Sequence, residues 1–133
     1  MATDALGAED ARRVALHAQG LRGARVTKGG VAAMLRRLGA VQLDTISVLA
    51  RSHELVAYAR LGAVGRQKVE QAYWGPRSET FEYWSHAACV LPLQDWPAYE
   101  FRRRQFVAKG RRWHLLAEKD KSCREVLARL RGE

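Results

Sequence analysis

Hydrophobic residues change their spacing once along this chain, and the change restricts its fold. Up to Trp74 they recur mainly every three or four positions, which is the spacing of helices packed on one side. From Glu79 to Ser85 the run is rich in aromatic residues and alternates in polarity, which is typical of a strand, and His86 to Leu91 is a second extended run. We therefore predict an α+β fold, mostly helical, in which a small antiparallel sheet closes a group of helices.

Glycine, proline and capping residues bound the predicted elements. The first helix runs from Gly7 to about Gln19, and the second, which carries Val31 to Leu38, stops at Gly39 because glycine readily adopts the left-handed cap conformation. The remaining predicted elements are a third helix capped by Thr45 or Ser47 that carries Leu49, His53 and Val56, a fourth helix from Arg66 to Trp74, strands over 79–85 and 86–91, and a helix that starts at Asp95-Trp96-Pro97.

The end of the sequence bears on its domain organisation. Ser122-Cys123-Arg124-Glu125 matches a capping box, so a helix is predicted to start there, and a helix this short is marginal unless it packs on another element. We expect one domain over residues 1–97, followed over 98–133 by a basic helical linker and the start of a second, truncated unit. The alternative is an ordinary C-terminal helix.

The net charge of +9 predicts a polyanionic partner. Residues 101–133 hold eleven Lys and Arg residues against four acids, so most of the excess lies in the last quarter of the chain. Nucleic acid fits this segment better than a membrane surface, which would need bulky apolar anchors on an amphipathic helix. A solvated basic face is the simpler alternative.

Targeting signals and metal-ligand spacings are not apparent in the sequence. No stretch approaches the roughly 20 apolar residues that cross a bilayer, and the N-terminus lacks a secretory pattern, so we expect a cytoplasmic protein. Cys89 and Cys123 are expected to stay reduced, because they are far apart and lack the spacing of a zinc site. We therefore expect neither a metal nor another cofactor.

A short alternation at Val41-Gln42-Leu43-Asp44 lies between two helical patterns. On a strand, Val41 and Leu43 would be buried while Gln42 and Asp44 project to the same side, about 7 Å apart. An amide and a carboxylate at this spacing can hold and polarise a water molecule. From the alternation alone the simpler interpretation is two solvated polar residues, with Asp44 capping the next helix.

Three stretches of this sequence resemble one enzyme family. Residues 41–53, 81–88 and 91–97 are similar to the bacterial winged-helix crosslink-repair DNA glycosylases, the YcaQ-like relatives of the azinomycin-resistance glycosylase. The resemblance implies a winged helix-turn-helix with a short strand and a two-stranded wing, in a protein built from about three such units. This chain would then correspond to the first unit and the start of the second.

The resemblance also implies an activity, the hydrolysis of the N-glycosidic bond of damaged bases in DNA. The family signature is a glutamine, an apolar residue and then glutamine or aspartate, and Gln42-Leu43-Asp44 matches the aspartate form. By this resemblance Gln42 and Asp44 are catalytic. The implied substrate is double-stranded DNA with N7-alkylated or crosslinked bases, and the enzyme is expected to be a monomer, associated with the nucleoid when it binds DNA. Residues 1–133 alone are expected to have little activity.

Other residues are predicted to contact DNA without reading its sequence. They are Arg51, His53, His86, Arg102, Arg103, Arg104, Arg111 and Arg112. For the two histidines the alternative is a hydrogen-bonded, partly buried ring, and for the arginines it is a solvated surface. Tyr83 and Trp84 are expected to pack within the sheet.

A non-catalytic winged-helix DNA-binding protein or transcriptional regulator is the alternative function. A recognition helix needs Arg, Asn or Gln to read base edges, whereas residues 45–52 offer only Arg51. The sequence therefore favours binding that is directed by phosphates and damage rather than by base sequence.

Overall fold

A computed structural model of the protein describes residues 6–22, 29–109 and 120–132. In chain order its elements are α1 (Ala8–Ala18), α2 (Gly30–Leu38), β1 (Val41–Gln42), α3 (Ser52–Leu61), α4 (Arg66–Trp74), β2 (Thr80–Trp84), β3 (Ala88–Pro92), a 3₁₀ helix (Leu93–Tyr99), α5 (Glu100–Ala108) and α6 (Asp120–Arg131). The chain divides into two compact units, Met1–Trp96 and Pro97–Glu133, which are described separately. Within the described ranges no helix is long and apolar enough to cross a membrane.

The sheet of the first unit has three antiparallel strands in the order β1-β3-β2. β3 is central, with Val90 opposite Val41 on one side and Glu82 on the other. Its residues from Cys89 to Pro92 are all buried, because a central strand covered by helices has little contact with solvent. The predicted antiparallel sheet is confirmed, and β1 is one of its strands.

The hydrophobic core lies between this sheet and α2, α3 and α4. Val31, Met34 and Leu35 of α2 are buried at the helical spacing that the sequence predicted. They pack with the remaining core residues Val41, Ala57, Val69, Tyr73 and Val90. Residues from the predicted strands and residues from the predicted helices thus pack together in one core.

Gly39 turns the chain from α2 into β1. Its φ of 76° lies in the left-handed region, where a side chain would be strained, and its amide donates to the carbonyl of Leu35 at 2.8 Å. The predicted glycine cap is therefore confirmed. It places the start of β1 directly after the buried face of α2.

α1 has no buried residue and is attached to the rest of the first unit by hydrogen bonds. Arg60 donates through Nε to the carbonyl of Gln19 at 2.7 Å, and Arg37 donates through Nη2 to the carbonyl of His17. Carbonyls at a helix C-terminus lack partners within the helix and carry partial negative charge, so guanidinium groups stabilise them. The apolar residues that recur at helical spacing on α1 remain exposed: Ala11, Val14, Ala15 and Ala18.

The third helix begins later than predicted. Neither Thr45 nor Ser47 caps it, since α3 starts at Ser52 and Leu49 lies outside it with 90 % of its surface exposed. The physical reason is an Asx turn, in which the carboxylate of Asp44 accepts a hydrogen bond from the amide of Ile46. This turn holds the chain in a non-helical path, and residues 43–51 form a loop.

Two other predicted helix starts are also shifted. After β3 the chain first forms the 3₁₀ helix, and α5 begins at Glu100 rather than at Asp95-Trp96-Pro97. In the second unit α6 includes Asp120, so Ser122 lies inside the helix and does not cap it. The fourth helix, in contrast, has the predicted bounds from Arg66 to Trp74.

Candidate active site

Gln42 and Asp44 lie where β1 ends. The strand was predicted to carry both residues, but it stops at Gln42, and one further sheet-like bond joins the amide of Leu43 to the carbonyl of Ala88 at 2.8 Å. Val41 is buried and Leu43 packs against the core, as the alternation predicted. Gln42 is exposed and Asp44 is half-buried.

The hydroxyl of Ser52 bridges the backbone of these two residues. It accepts a hydrogen bond from the amide of Asp44 at 2.9 Å and donates one to the carbonyl of Gln42, also at 2.9 Å. Because Ser52 is the first residue of α3, the start of this helix fixes the path of the motif. This role of Ser52 was not predicted from the sequence, where its only signal is a serine at a position where a helix can start.

The carboxylate of Asp44 is oriented by its own loop. Oδ1 accepts the hydrogen bond from the amide of Ile46 at 2.9 Å. Oδ2 has no hydrogen-bond partner among the described residues. This hydrogen bond restricts the orientation of the carboxylate, which is half-buried.

The side chain of His86 lies next to that of Gln42, although the two residues are far apart in the sequence. It occupies the turn between β2 and β3, which is closed by a hydrogen bond from the amide of Ser85 to the carbonyl of Ala87 at 2.9 Å. Its Nε2 lies 3.2 Å from Oε1 of Gln42. The ring was predicted to contact DNA; it is exposed, and its neighbour is one of the two predicted catalytic side chains.

His53 was predicted to contact DNA, but it is buried with 2 % of its surface exposed. Its ring packs edge to face against Trp74 at 5.2 Å between centroids and against Tyr73 at 6.1 Å. Neither ring nitrogen has a hydrogen-bond partner among the described residues. This burial removes His53 from any DNA-facing surface and lowers its pKa below the usual 6.5.

Burial also shifts the pKa of Tyr73, which forms an aromatic cluster with His53 and Trp74. The hydroxyl of Tyr73 is buried without a partner in the described part of the chain. Burial raises the pKa of Tyr73 to about 12, and the charge of Arg60 opposes the increase. The cluster is therefore neutral at physiological pH and acts as packing between α3 and α4.

The predicted arginine contacts are distributed over both units. Arg51 is exposed at the N-cap of α3, one residue before Ser52, and so lies next to the motif. In the second unit α5 carries Arg102 and Arg103, both half-buried, and Arg104, whose Nη2 bonds Oε1 of Glu100 at 2.6 Å. The last two predicted contacts, Arg111 and Arg112, lie outside the described residues.

The side chains at this site are suited to proton transfer and to the electrostatic stabilisation of a positive charge. Across residues 6–22, 29–109 and 120–132, no three His, Cys, Asp or Glu side chains form a group that would hold a metal ion. Cys89 is buried and Cys123 exposed, and both are free thiols. Gln42 and Asp44 present an amide and a carboxylate at the end of β1, and the imidazole of His86 lies 3.2 Å from that amide.

Comparison with known proteins agrees with the resemblance inferred from the sequence. No significant match to a solved structure was found. The sequence model of a family described as DNA glycosylase AlkZ-like matches residues 35–133, well over half of the chain. The matched range includes Gln42, Asp44, Ser52 and His86. The chain therefore belongs to the AlkZ-like DNA glycosylase family.

Proposed function

We propose that this protein is a DNA repair glycosylase that hydrolyses the N-glycosidic bond of N7-alkylated purines and unhooks interstrand crosslinks formed through that nitrogen. Membership of a DNA glycosylase family supports base removal from DNA. One observation carries the assignment of the site: Oδ2 of Asp44 is unpartnered among the described residues, and the side chain of Gln42, two residues earlier, is exposed.

The substrate class follows from the chemistry that such a site supplies. An N7-alkylated purine already carries a positive charge, so it leaves with the electrons of the C1′–N9 bond and needs no proton. The sugar then develops positive charge at C1′. A carboxylate near C1′ stabilises this charge, and a fixed carboxylate does so without reorganising during the reaction.

Asp44 and Gln42 have separate roles in this reaction. A water molecule lies between the two side chains, with its oxygen oriented by the amide of Gln42. As that oxygen bonds to C1′, its proton passes to Oδ2 of Asp44, and the C1′–N9 electron pair goes to the departing purine. The products are the free base and an abasic site. Residues 39–52 contain no lysine for a Schiff base, so we propose a monofunctional glycosylase.

We also propose that the first unit is a winged-helix DNA-binding domain. The order α2-β1-α3-α4-β2-β3, with β1 paired to β3, is the arrangement expected of a helix-turn-helix closed by a two-stranded wing. The charge of +9 supports binding to phosphates. Arg51, exposed beside the motif, is suited to such a contact.

The test is base release by the full-length protein from DNA that contains N7-methylguanine and from a nitrogen-mustard crosslink. Asp44→Asn is expected to lower the rate by about 10²- to 10⁴-fold, the range that a general base contributes. Gln42→Ala is expected to have a smaller effect. Asp10→Asn on α1 and Gln67→Ala on α4 change exposed residues of the same types and should leave the rate unchanged.

Two results would contradict the proposal. Base release that survives both Asp44→Asn and Gln42→Ala would show that other residues perform the chemistry. Tight DNA binding without base release from either substrate would favour the non-catalytic DNA-binding alternative.

A further inference from the structure

We propose that His86 is a positioning residue that fixes the side-chain amide of Gln42 for the reaction. The inference rests on the proposed function, because it assigns the amide a task in orienting water. Its basis is the contact of 3.2 Å between Nε2 of His86 and Oε1 of Gln42. The two residues are 44 positions apart in the chain.

The sheet register produces this contact. Gln42 is opposite Cys89, and the next residue, Leu43, donates its amide to the carbonyl of Ala88. The hairpin turn begins just beyond that point, so β1 ends beside the turn that carries His86. The same pairing that forms the sheet therefore brings an imidazole to the glutamine.

Hydrogen-bond chemistry gives the contact a direction. A histidine with a hydrogen on Nε2, in either its neutral or its charged form, donates to Oε1 of Gln42. The NH₂ group of the amide is then turned away from the ring and can donate to a water molecule. That water gives one hydrogen to Asp44 and keeps a second lone pair for the sugar carbon.

Gln42 needs such a partner more than Asp44 does. The carboxylate of Asp44 is held by its own loop through Ile46, whereas Ser52 bonds only the backbone carbonyl of Gln42. Among the described residues, His86 makes the hydrogen bond to the side chain of Gln42. An exposed glutamine without it would populate several rotamers and both amide orientations.

Direct contact with a DNA phosphate is the competing role for an exposed histidine on a hairpin turn. That role depends on positive charge, and its loss would weaken binding and reduce the salt dependence of DNA affinity by about one unit of slope. A positioning role depends instead on a hydrogen-bond donor at the place of Nε2, whether or not it is charged. The two roles therefore respond differently to the same substitutions.

The experiment compares His86→Leu, which removes the donor, with His86→Gln, whose amide nitrogen reaches the same place without a charge. In the full-length protein His86→Leu should lower the single-turnover rate of base release at saturating enzyme about tenfold, with DNA affinity unchanged. His86→Gln should restore most of the rate. His17→Leu, at an exposed histidine on α1, is the matched control.

A double-mutant cycle tests whether His86 acts through Gln42. In the Gln42→Ala background His86→Leu should have no further effect on the rate. NMR of the Gln42 side-chain NH₂ group is a direct readout. The group should be rigid in the wild type and in His86→Gln, whereas in His86→Leu its signal should be averaged by motion of the side chain. This signal reports the contact without depending on activity.

The outcomes separate this inference from the proposed function. Weaker DNA binding with a smaller salt slope and an unchanged rate would assign His86 to a phosphate and overturn the inference. A full effect of His86→Leu in the Gln42→Ala background would also overturn it. If Gln42→Ala and Asp44→Asn release base normally, the catalytic roles proposed for these two residues fail; if both variants are impaired while His86→Leu is not, only the inference fails.

Discussion

The core and the candidate active site meet at β1, where Val41 is buried and Gln42 is exposed, but their residues are fixed in different ways. In the core, Met34, Leu35 and Val90 are buried together, and each has several apolar neighbours that restrict it. At the site, Gln42 and Asp44 are placed by a few hydrogen bonds near solvent. Core substitutions should therefore change stability, whereas site substitutions should change the rate of a protein that remains folded.

The largest effect on stability is expected in the core. Leu35 is 1 % exposed, so Leu35→Ala should lower the free energy of unfolding by about 2–5 kcal/mol, through lost transfer energy and the cavity left behind. Leu49→Ala removes the same atoms from a side chain that is 90 % exposed, and should change stability by less than about 0.5 kcal/mol. Urea unfolding followed by circular dichroism measures both. Equal losses in the two variants would contradict the assignment of core and loop.

Ser52 tests the expectation that substitutions at the candidate site change the rate of base release more than they change stability. Ser52→Ala removes both hydrogen bonds to the motif, so we expect a loss of about 1 kcal/mol in stability but about a tenfold loss in base release. Ser52→Thr keeps the hydroxyl and should retain most activity. Ser47→Ala, at an exposed serine of the loop over residues 43–51, is the control. A rate loss matched by Ser47→Ala would argue against the bridge.

Acid should weaken the packing between α3 and α4 through His53. Burial, opposed by the charge of Glu54, lowers the pKa of His53 in the folded protein below its unfolded value of 6.5. As pH falls below 6.5, the unfolded chain takes up a proton that the folded chain resists, so the free energy of unfolding decreases until the folded pKa is reached.

Urea unfolding at pH 7.5 and at pH 5.5 measures this effect. His53→Phe keeps an aromatic ring and should show a smaller decrease between the two pH values than the wild type. His17→Phe changes an exposed histidine and should leave the decrease unaltered. An equal decrease in the wild type and His53→Phe would show that other groups cause the acid sensitivity.

The sequence predicted the parts of the fold that depend on periodicity. The stripe of α2, the bounds of α4, the Gly39 cap and the antiparallel hairpin follow from local spacing and turn residues, and the structure has them. The same spacing placed His53 on the apolar side of the third helix. Its burial was thus present in the pattern, although His53 was predicted to contact DNA.

The contacts that shape the site were not predictable in the same way. The bonds of Ser52 to the motif span eight and ten residues, and the bond of His86 to Gln42 spans 44. These contacts depend on the strand register and on the loop over residues 43–51, which starts with an Asx turn and not with a helix. Periodicity contains no information about either. The sequence indicated the two residues that we propose as catalytic, but not the residues that hold them in place.

The smallest effect is expected from an ion pair of the second unit. Glu100 and Arg104 are four positions apart on α5 with both side chains exposed, and such pairs contribute about 0.3–0.5 kcal/mol. Glu100→Gln should lower stability by no more than this at 50 mM salt and by less at 1 M, because salt screens exposed charges. It should also strengthen DNA binding slightly at low salt, since Arg104 would lose its acidic partner. A stability loss above about 1 kcal/mol that persists at 1 M salt would contradict this, because it would mean that the ion pair is shielded from water. The pair would then resemble the buried core and not the exposed contact between Gln42 and His86.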